Sequence, residues 1–261
     1  MRRYSVILMA TIAMLATSCK ISDGNADRQP IDIGKAIASE AHQQLAQTNF
    51  IIRLVLMSDA YYATEDEAVR AKILEEHFTD ENYSLNRDED KGVIVISYGT
   101  TTIMNIHCDG GLLSDGGVWS VDDSYLAKYT PTDRGIEVDI DFFDGYTYSG
   151  SSDFVVSNVV YDVENDLTYN LTGSMELIFG SSDTHRLSTV ITRELSYSRQ
   201  LYQNGEDYYY RYVGFFDGAM SVQYVDAMSK VFDVRMTYKD SETIDVEYCG
   251  EYATINNYTF R

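Results

Sequence analysis

Two periods divide the chain. Between residues 33 and 60 the apolar positions Ile33, Ile37, Leu45, Ile52, Val55 and Leu56 fall near one helical stripe, with Glu40, Gln43, Gln47 and Arg53 elsewhere. That spacing predicts an amphipathic helix. Its end, "NFIIRLVLM", is apolar nearly all round and predicts burial on more than one side. Next, Thr64-Glu65-Asp66-Glu67 has the spacing of a capping box, in which the Thr hydroxyl and the Glu carboxylate satisfy free backbone donors. A second helix is expected from there, with Val69, Ile73, Leu74 and Phe78 on its apolar face and its end near Phe78.

From about residue 82 the period becomes two. Ile136, Val138, Ile140 and Phe142 alternate with Glu137, Asp139 and Asp141. The odd positions from Leu167 to Phe179 are apolar or glycine, against Thr, Asn, Ser and Glu. Gly180-Ser181-Ser182-Asp183 predicts a hairpin turn, with a return strand from His185 to Ser196. Further turns are expected at Asn204-Gly205, across Asp109 to Gly117, and at Lys239-Asp240-Ser241. Alternation of this kind means one dry face and one wet face, as in antiparallel sheets. The predicted class is α+β, mainly β. Two N-terminal helices precede a roughly ten-stranded antiparallel meander, a curved sheet or partly open barrel packed on the helices. Only Pro30 and Pro131 occur and nothing marks an internal linker, so residues 32–261 are expected to form one domain.

The first residues change the picture. Arg2 and Arg3 precede an apolar run from Val6 to Ala16, too short for the roughly 20 residues that a membrane-spanning helix needs. This order suits an export signal. Leu15-Ala16-Thr17-Ser18-Cys19 resembles the lipobox of bacterial lipoproteins. It departs from the usual pattern in having Ala16 three residues before the cysteine and Leu15 one step further out. The resemblance implies a thioether-linked diacylglycerol on Cys19, cleavage before it, and acylation of the new N-terminus. Residues 1–18 would then be the signal peptide and 19–31 a lipidated tether. The protein would sit in the cell envelope, held to the outer membrane or cell surface. Ordinary cleavage after Ala16-Thr17-Ser18 would instead release a secreted protein.

Charge narrows the partners. The chain carries a formal −21, and removal of residues 1–18 takes away two arginines and no acid, leaving −23. A field of that sign repels nucleic acid and anionic lipid head groups. Beyond Cys19 the cysteines are Cys108 and Cys249, an even pair that suggests a disulfide in an oxidising compartment. The alternation opposes it: Cys108 falls with Met104 and Ile106 on an apolar face, and Cys249 with Asp245 and Glu247 on a wet one. Opposite faces cannot meet the Cα separation of roughly 4.4–6.8 Å that a bridge needs, unless a bulge near Gly250 turns Cys249 round, so a Cys108–Cys249 disulfide stays open.

Catalytic motifs are missing from the sequence: it holds no GxSxG, HExxH, CxxC or P-loop. His42, His77, His107 and His185 lack metal-ligand spacing, and neither a metal nor a cofactor is implied. Asp139-x-Asp141-x-x-Asp144-Gly145 fails the EF-hand pattern and reads as an acidic strand face before an Asp-Gly turn. "EDYYYRYVGFF" puts Tyr208, Tyr210 and Tyr212 on one strand face, where tyrosines can stack on sugar rings or serve as half-buried cross-strand partners. Trp119 follows the glycine-rich Asp109–Gly117 stretch and is a further candidate contact. The expected function is a non-enzymatic binding or scaffolding module of the envelope, with a glycan, lipid or envelope-protein ligand. A secreted carboxylate-dependent hydrolase and a structural subunit of a surface assembly are the alternatives.

Overall fold

The computed structural model describes residues 29–70, 83–88, 93–98, 101–110, 116–121, 125–144, 148–162, 166–179, 185–204, 207–240 and 243–256. Its first element is a helix, α1 (Pro30–Ala63), of 34 residues. The helix starts three residues before the predicted position. Pro30 is at home there: its fixed φ suits a first turn and its missing N–H costs no hydrogen bond. Gln29 supplies no side-chain cap. Instead the Ile31 N–H donates to Glu251 Oε2 at 3.1 Å, so a carboxylate from the far end of the chain caps the helix. Pro30 and Ile31 therefore belong to the helix and not to the tether.

A second helical turn, α2 (67–70), follows. Its cap is Asp66, not Thr64. Asp66 Oδ1 accepts from Ala68 N at 2.9 Å and Val69 N at 3.3 Å, while Thr64 Oγ1 accepts from Asp66 N. Aspartate caps as well as threonine and stands two residues closer to the helix. The rest of the predicted second helix, residues 71–78, lies outside the described residues.

The remaining elements are strands of one open antiparallel sheet. They are β1 (Tyr83–Asp88), β2 (Val93–Tyr98), β3 (Thr101–Gly110), β4 (Gly117–Val121), β5 (Tyr125–Thr132), β6 (Gly135–Asp144), β7 (Tyr148–Asp162) and β8 (Asp166–Phe179), followed by β9 (His185–Arg193), β10 (Leu195–Asn204), β11 (Asp207–Phe216), β12 (Ala219–Val225), β13 (Val231–Tyr238), β14 (Thr243–Tyr248) and β15 (Glu251–Asn256). The alternation predicts roughly ten strands; among the described residues the sheet has fifteen. One cause is that the expected return strand His185–Ser196 breaks at Glu194 into β9 and β10.

That break forks the sheet. The second half of β8, Ser174–Phe179, pairs with β9, while its first half, Asp166–Leu171, pairs with β10. From β9 one branch continues through β12 to β15; the other is β10 with β11. Two glycines permit the split. Gly173 has φ +126, and a Cβ there would collide with the Asp153 carbonyl. Gly218 has φ +95, and a Cβ would collide with the Glu194 carbonyl. Only glycine adopts such backbone at no steric cost.

Alternation sets the core. Val138, Ile140 and Phe142 on β6, Phe154 and Val156 on β7, and Phe232, Val234 and Met236 on β13 are buried. They join Ile37, Ala41, Leu45, Ile52 and Val55 of α1 in one apolar cluster. The helix lies close: a Cβ on Gly34 would stand 2.6 Å from Tyr248 Cβ on β14.

The polar side of α1 is not simply a solvent face. Glu40 is 8% exposed and Asn49 5%, and both contribute polar atoms to the interior. The Tyr169 hydroxyl donates to Asn49 Oδ1. Arg53 Nη1 donates to the Tyr197 hydroxyl at 3.1 Å, and His42 Nδ1 lies 2.9 Å from the Tyr238 hydroxyl. The rings themselves touch in series: Tyr169 stacks on Tyr197 at 4.7 Å, Tyr197 meets Phe215 edge-on at 5.5 Å, and Phe215 meets Tyr238 at 6.1 Å. This chain of rings runs from β8 through β10 and β11 to β13, across the fork.

Two predictions follow from that interior. Tyr169→Phe should cost about 1–3 kcal/mol by leaving the buried Asn49 amide oxygen unmatched, and adding Asn49→Leu should cost far less than it does alone, since removing both partners is nearly neutral. Denaturant melts of the four chains check this, and additive costs would refute the pairing. Glu40 has its carboxyl pKa raised by burial, with the Gln44 amide partly opposing. Its folded-state pKa is thus above the unfolded value, so stability held at low pH is lost as pH rises through the folded pKa. Glu40→Gln should raise stability at pH 7 by on the order of 1 kcal/mol and flatten that decline. An unchanged pH profile would count against it.

Candidate functional site

The wet face of β5–β9 carries a groove of about 550 Å³. Pairing register, more than any one motif, builds it. One cross-strand row reads Lys128, Asp139, Asp153, Ser174, Val190; the next reads Leu126, Asp141, Ser151, Glu176, Ser188. Ser151, Ser174 and Ser188 are short, so the surface dips where they meet. Lys128, Asp139, Asp141, Asp153, Glu176 and Val190 stand around the dip. Each side chain points outward because its neighbours along the strand, such as Ile140, Phe154 and Leu177, are buried on the other face.

The charge pattern is lopsided. Asp139 directly opposes Asp153 across the β6–β7 ladder. Like charges so placed destabilise a sheet. The Asp139 carboxyl is held above its ordinary pKa, first by loss of solvent within the groove, then by Asp153 and Glu137, with Asp141 adding to the effect. Lys128, its other cross-strand neighbour, pulls the opposite way. Glu176 is bridged to Arg186 at 3.1 Å, with both side chains about half exposed. The floor offers hydroxyls, the rim offers carboxylates, and Val190, 49% exposed, gives one wall an apolar spot. Such a surface can hydrogen-bond and attract a cation. Among the described residues no three His, Cys, Asp or Glu side chains are placed to hold a metal ion.

The residues nominated from sequence lie elsewhere. Tyr208, Tyr210 and Tyr212 are on β11, paired with Gln203, Leu201 and Gln200. A register shift between Gln200 and Leu201 interrupts the two-residue repeat between Tyr210 and Tyr212, so the backbone does not carry one unbroken row. Trp119 is on β4, paired with Cys108 on β3 and Ala127 on β5. Cys249 is a free, exposed thiol. It lies past the end of β14, in the turn to β15 at φ +52, and so outside the strand alternation that set its expected face. Cys19 lies outside the described residues. Of the groove, sequence had singled out only Asp139 and Asp141. The serines come from three strands, and only the register brings them together.

The chain matches no protein-family model, no curated protein and no solved structure.

Asp153→Asn should stabilise the fold above the ordinary carboxylate range by a few tenths of a kcal/mol, more at low salt. The sign follows from Asp139. Its raised folded pKa means stability is lost as pH climbs through that value, and removing the facing charge shrinks the loss. Thermal melts between pH 3 and 8 check this; a lower melting temperature at pH 7 would show that Asp153 has a structural partner.

Proposed function

We propose that this chain is a lipid-anchored protein of the cell envelope that works without catalysis. In this reading the long helix fills the dry side of a curved, partly open sheet, and the groove on the wet side holds a Lys- or Arg-bearing segment of another envelope protein. The supporting observation is the opposition of Asp139 and Asp153 above a hydroxyl floor. An ammonium or guanidinium seated there relieves a repulsion that the fold otherwise bears, and its N–H groups match carboxylate and hydroxyl acceptors. A glycan fits less well, since the groove residues include no aromatic ring to stack on a sugar. Anchoring rests on the lipobox-like Leu15–Cys19 and on the polar run that follows it.

A second reading has one observation in its favour. Asp139, with its raised pKa, opposite Asp153 gives two carboxyls on adjacent strands, as an acid–base hydrolase needs. Against it, both are exposed, so the site lacks walls that exclude water.

An octalysine peptide is the probe. Titrated calorimetrically at low salt, it should bind the full chain, and Asp139→Asn with Asp153→Asn should weaken binding by about tenfold. Asp133→Asn with Glu65→Gln, which alters the same charge away from the groove, should change it little. Equal loss in the two double variants would reduce the effect to net charge. Turnover of a glycoside panel abolished by Asp139→Asn would move the assignment to the hydrolase. Cys19→Ala should shift the protein from the membrane fraction to the soluble one.

A further inference from the structure

We propose that the end of the sheet formed by the β12–β13 and β14–β15 turns rests on the lipid surface, with the strands standing up from it and the groove opening sideways. This builds on the anchored reading above and adds an orientation and a contact surface. The antiparallel register sorts the connections into two ends. The turns at 226–230 and 249–250 share one end with the β6–β7 and β8–β9 connections; the β5–β6 turn at 133–134, the break at Glu194, and the β13–β14 turn at 239–242 are at the other.

The helix start is fixed to the first end. Its Ile31 N–H is held by Glu251, beside the β14–β15 turn, and Gly34 packs on Tyr248. Ten residues, Lys20 to Gln29, separate Cys19 from Pro30. Fully extended, they span about 40 Å at most. Strand β13 alone, with eight residues, is about 27 Å long. The tether leaves from this end, so an anchor at Cys19 lets this end sit directly on the bilayer. The tether is longer than a strand, and it is the apolar tip at this end that turns the body toward the lipid.

What this end presents suits a lipid surface. Strand β13 runs on from Arg235, the last residue paired with β14, back to Val231, so the turn before it projects past the β14–β15 turn. Asp226 makes that turn rigid: its Oδ1 accepts from Met228 N at 2.9 Å and Lys230 N at 2.8 Å. At the tip Met228 is 65% exposed, and Val231, next to Lys230, is 50% exposed. Apolar tips flanked by a lysine insert at the headgroup boundary, the amine staying with phosphate. The far end has exposed apolar residues of its own, Val160 and Phe216, but the tether does not leave from there.

Cys249 supplies a native reporter, being exposed and unbridged at this end. The full-length, acylated chain is bound to phosphatidylcholine vesicles containing headgroup spin-labelled lipid. A fluorophore on Cys249 should be quenched roughly threefold more than one on Asp133→Cys in a Cys249→Ser background, with peptide mapping to confirm the labelled site. Met228→Asp should reduce the quenching at position 249. Equal quenching at the two positions on vesicles that do carry the protein would overturn the orientation and leave the anchor standing. A chain whose intact mass shows no acyl groups and that does not float with vesicles would overturn the anchor and the orientation together.

Discussion

A buried tyrosine hydroxyl must find a partner, and in this fold three of them find one on a single helix. Tyr169, Tyr197 and Tyr238 belong to β8, β10 and β13, strands on both sides of the fork. Asn49, Arg53 and His42 of α1 meet them. Apolar packing alone would let a 34-residue helix slide along a greasy sheet, because hydrophobic contact is non-directional. Hydrogen bonds with fixed positions do not allow that. Each one contributes only about 1 kcal/mol net, but leaving the buried groups unmatched costs more. The helix is therefore fixed in register and direction by polar contacts and held in place by apolar ones.

The same contacts explain how a sheet can divide without opening a hole. Where β8 changes partner from β9 to β10, the ladder is interrupted between Leu171 and Ser174. Gly173 and Gly218 allow the chains to approach there. The ring series from Tyr169 to Tyr238 then spans the two branches, and α1 crosses beneath it. Thr48 marks the crossing point: its hydroxyl donates to the Gln44 carbonyl and lies 3.3 Å from Met175 Sδ on β8. A hydroxyl already satisfied within its own helix can be buried against a thioether at little cost.

Much of this architecture was written in local periodicity. The alternation of Val138, Ile140 and Phe142, and of Leu167 through Phe179, gave the strand faces and the antiparallel character correctly, because a period of two leaves no other way to hide those side chains. The helix could also be read, though its polar stripe misled. Glu40 and Arg53 look like solvent positions by spacing, yet the sheet covers both at least in part: Glu40 is buried with Gln44 of its own helix as partner, and Arg53 meets the Tyr197 hydroxyl. The cap shifted from Thr64 to Asp66 because two residues of good capping chemistry, two positions apart, compete, and spacing does not rank them. The groove was illegible for a different reason. Asp153, Ser174 and Ser188 become neighbours only through strand register, which depends on turn lengths and on bulges such as the one between Ser157 and Val160.

Register also shows where the fold spends its charges and where it does not. On the branch beyond β9 the wet face is complementary across strands: Gln223 bonds Asp233 at 3.0 Å, Arg235 lies 3.8 Å from Glu247, and Asp245 takes both Thr254 and Lys239. The Asp245 carboxyl is correspondingly held below its ordinary pKa, chiefly by the Lys239 hydrogen bond. On β6 and β7 the pattern inverts. Asp139 meets Asp153, its carboxyl is pushed up instead of down, and Lys128 balances it from one side only. A sheet that places complementary groups across its ladders beyond β9 gains nothing for its own stability from this pair. The dip of the serines leaves open space above the pair. The like-charge pair of β6 and β7 therefore lies within the groove.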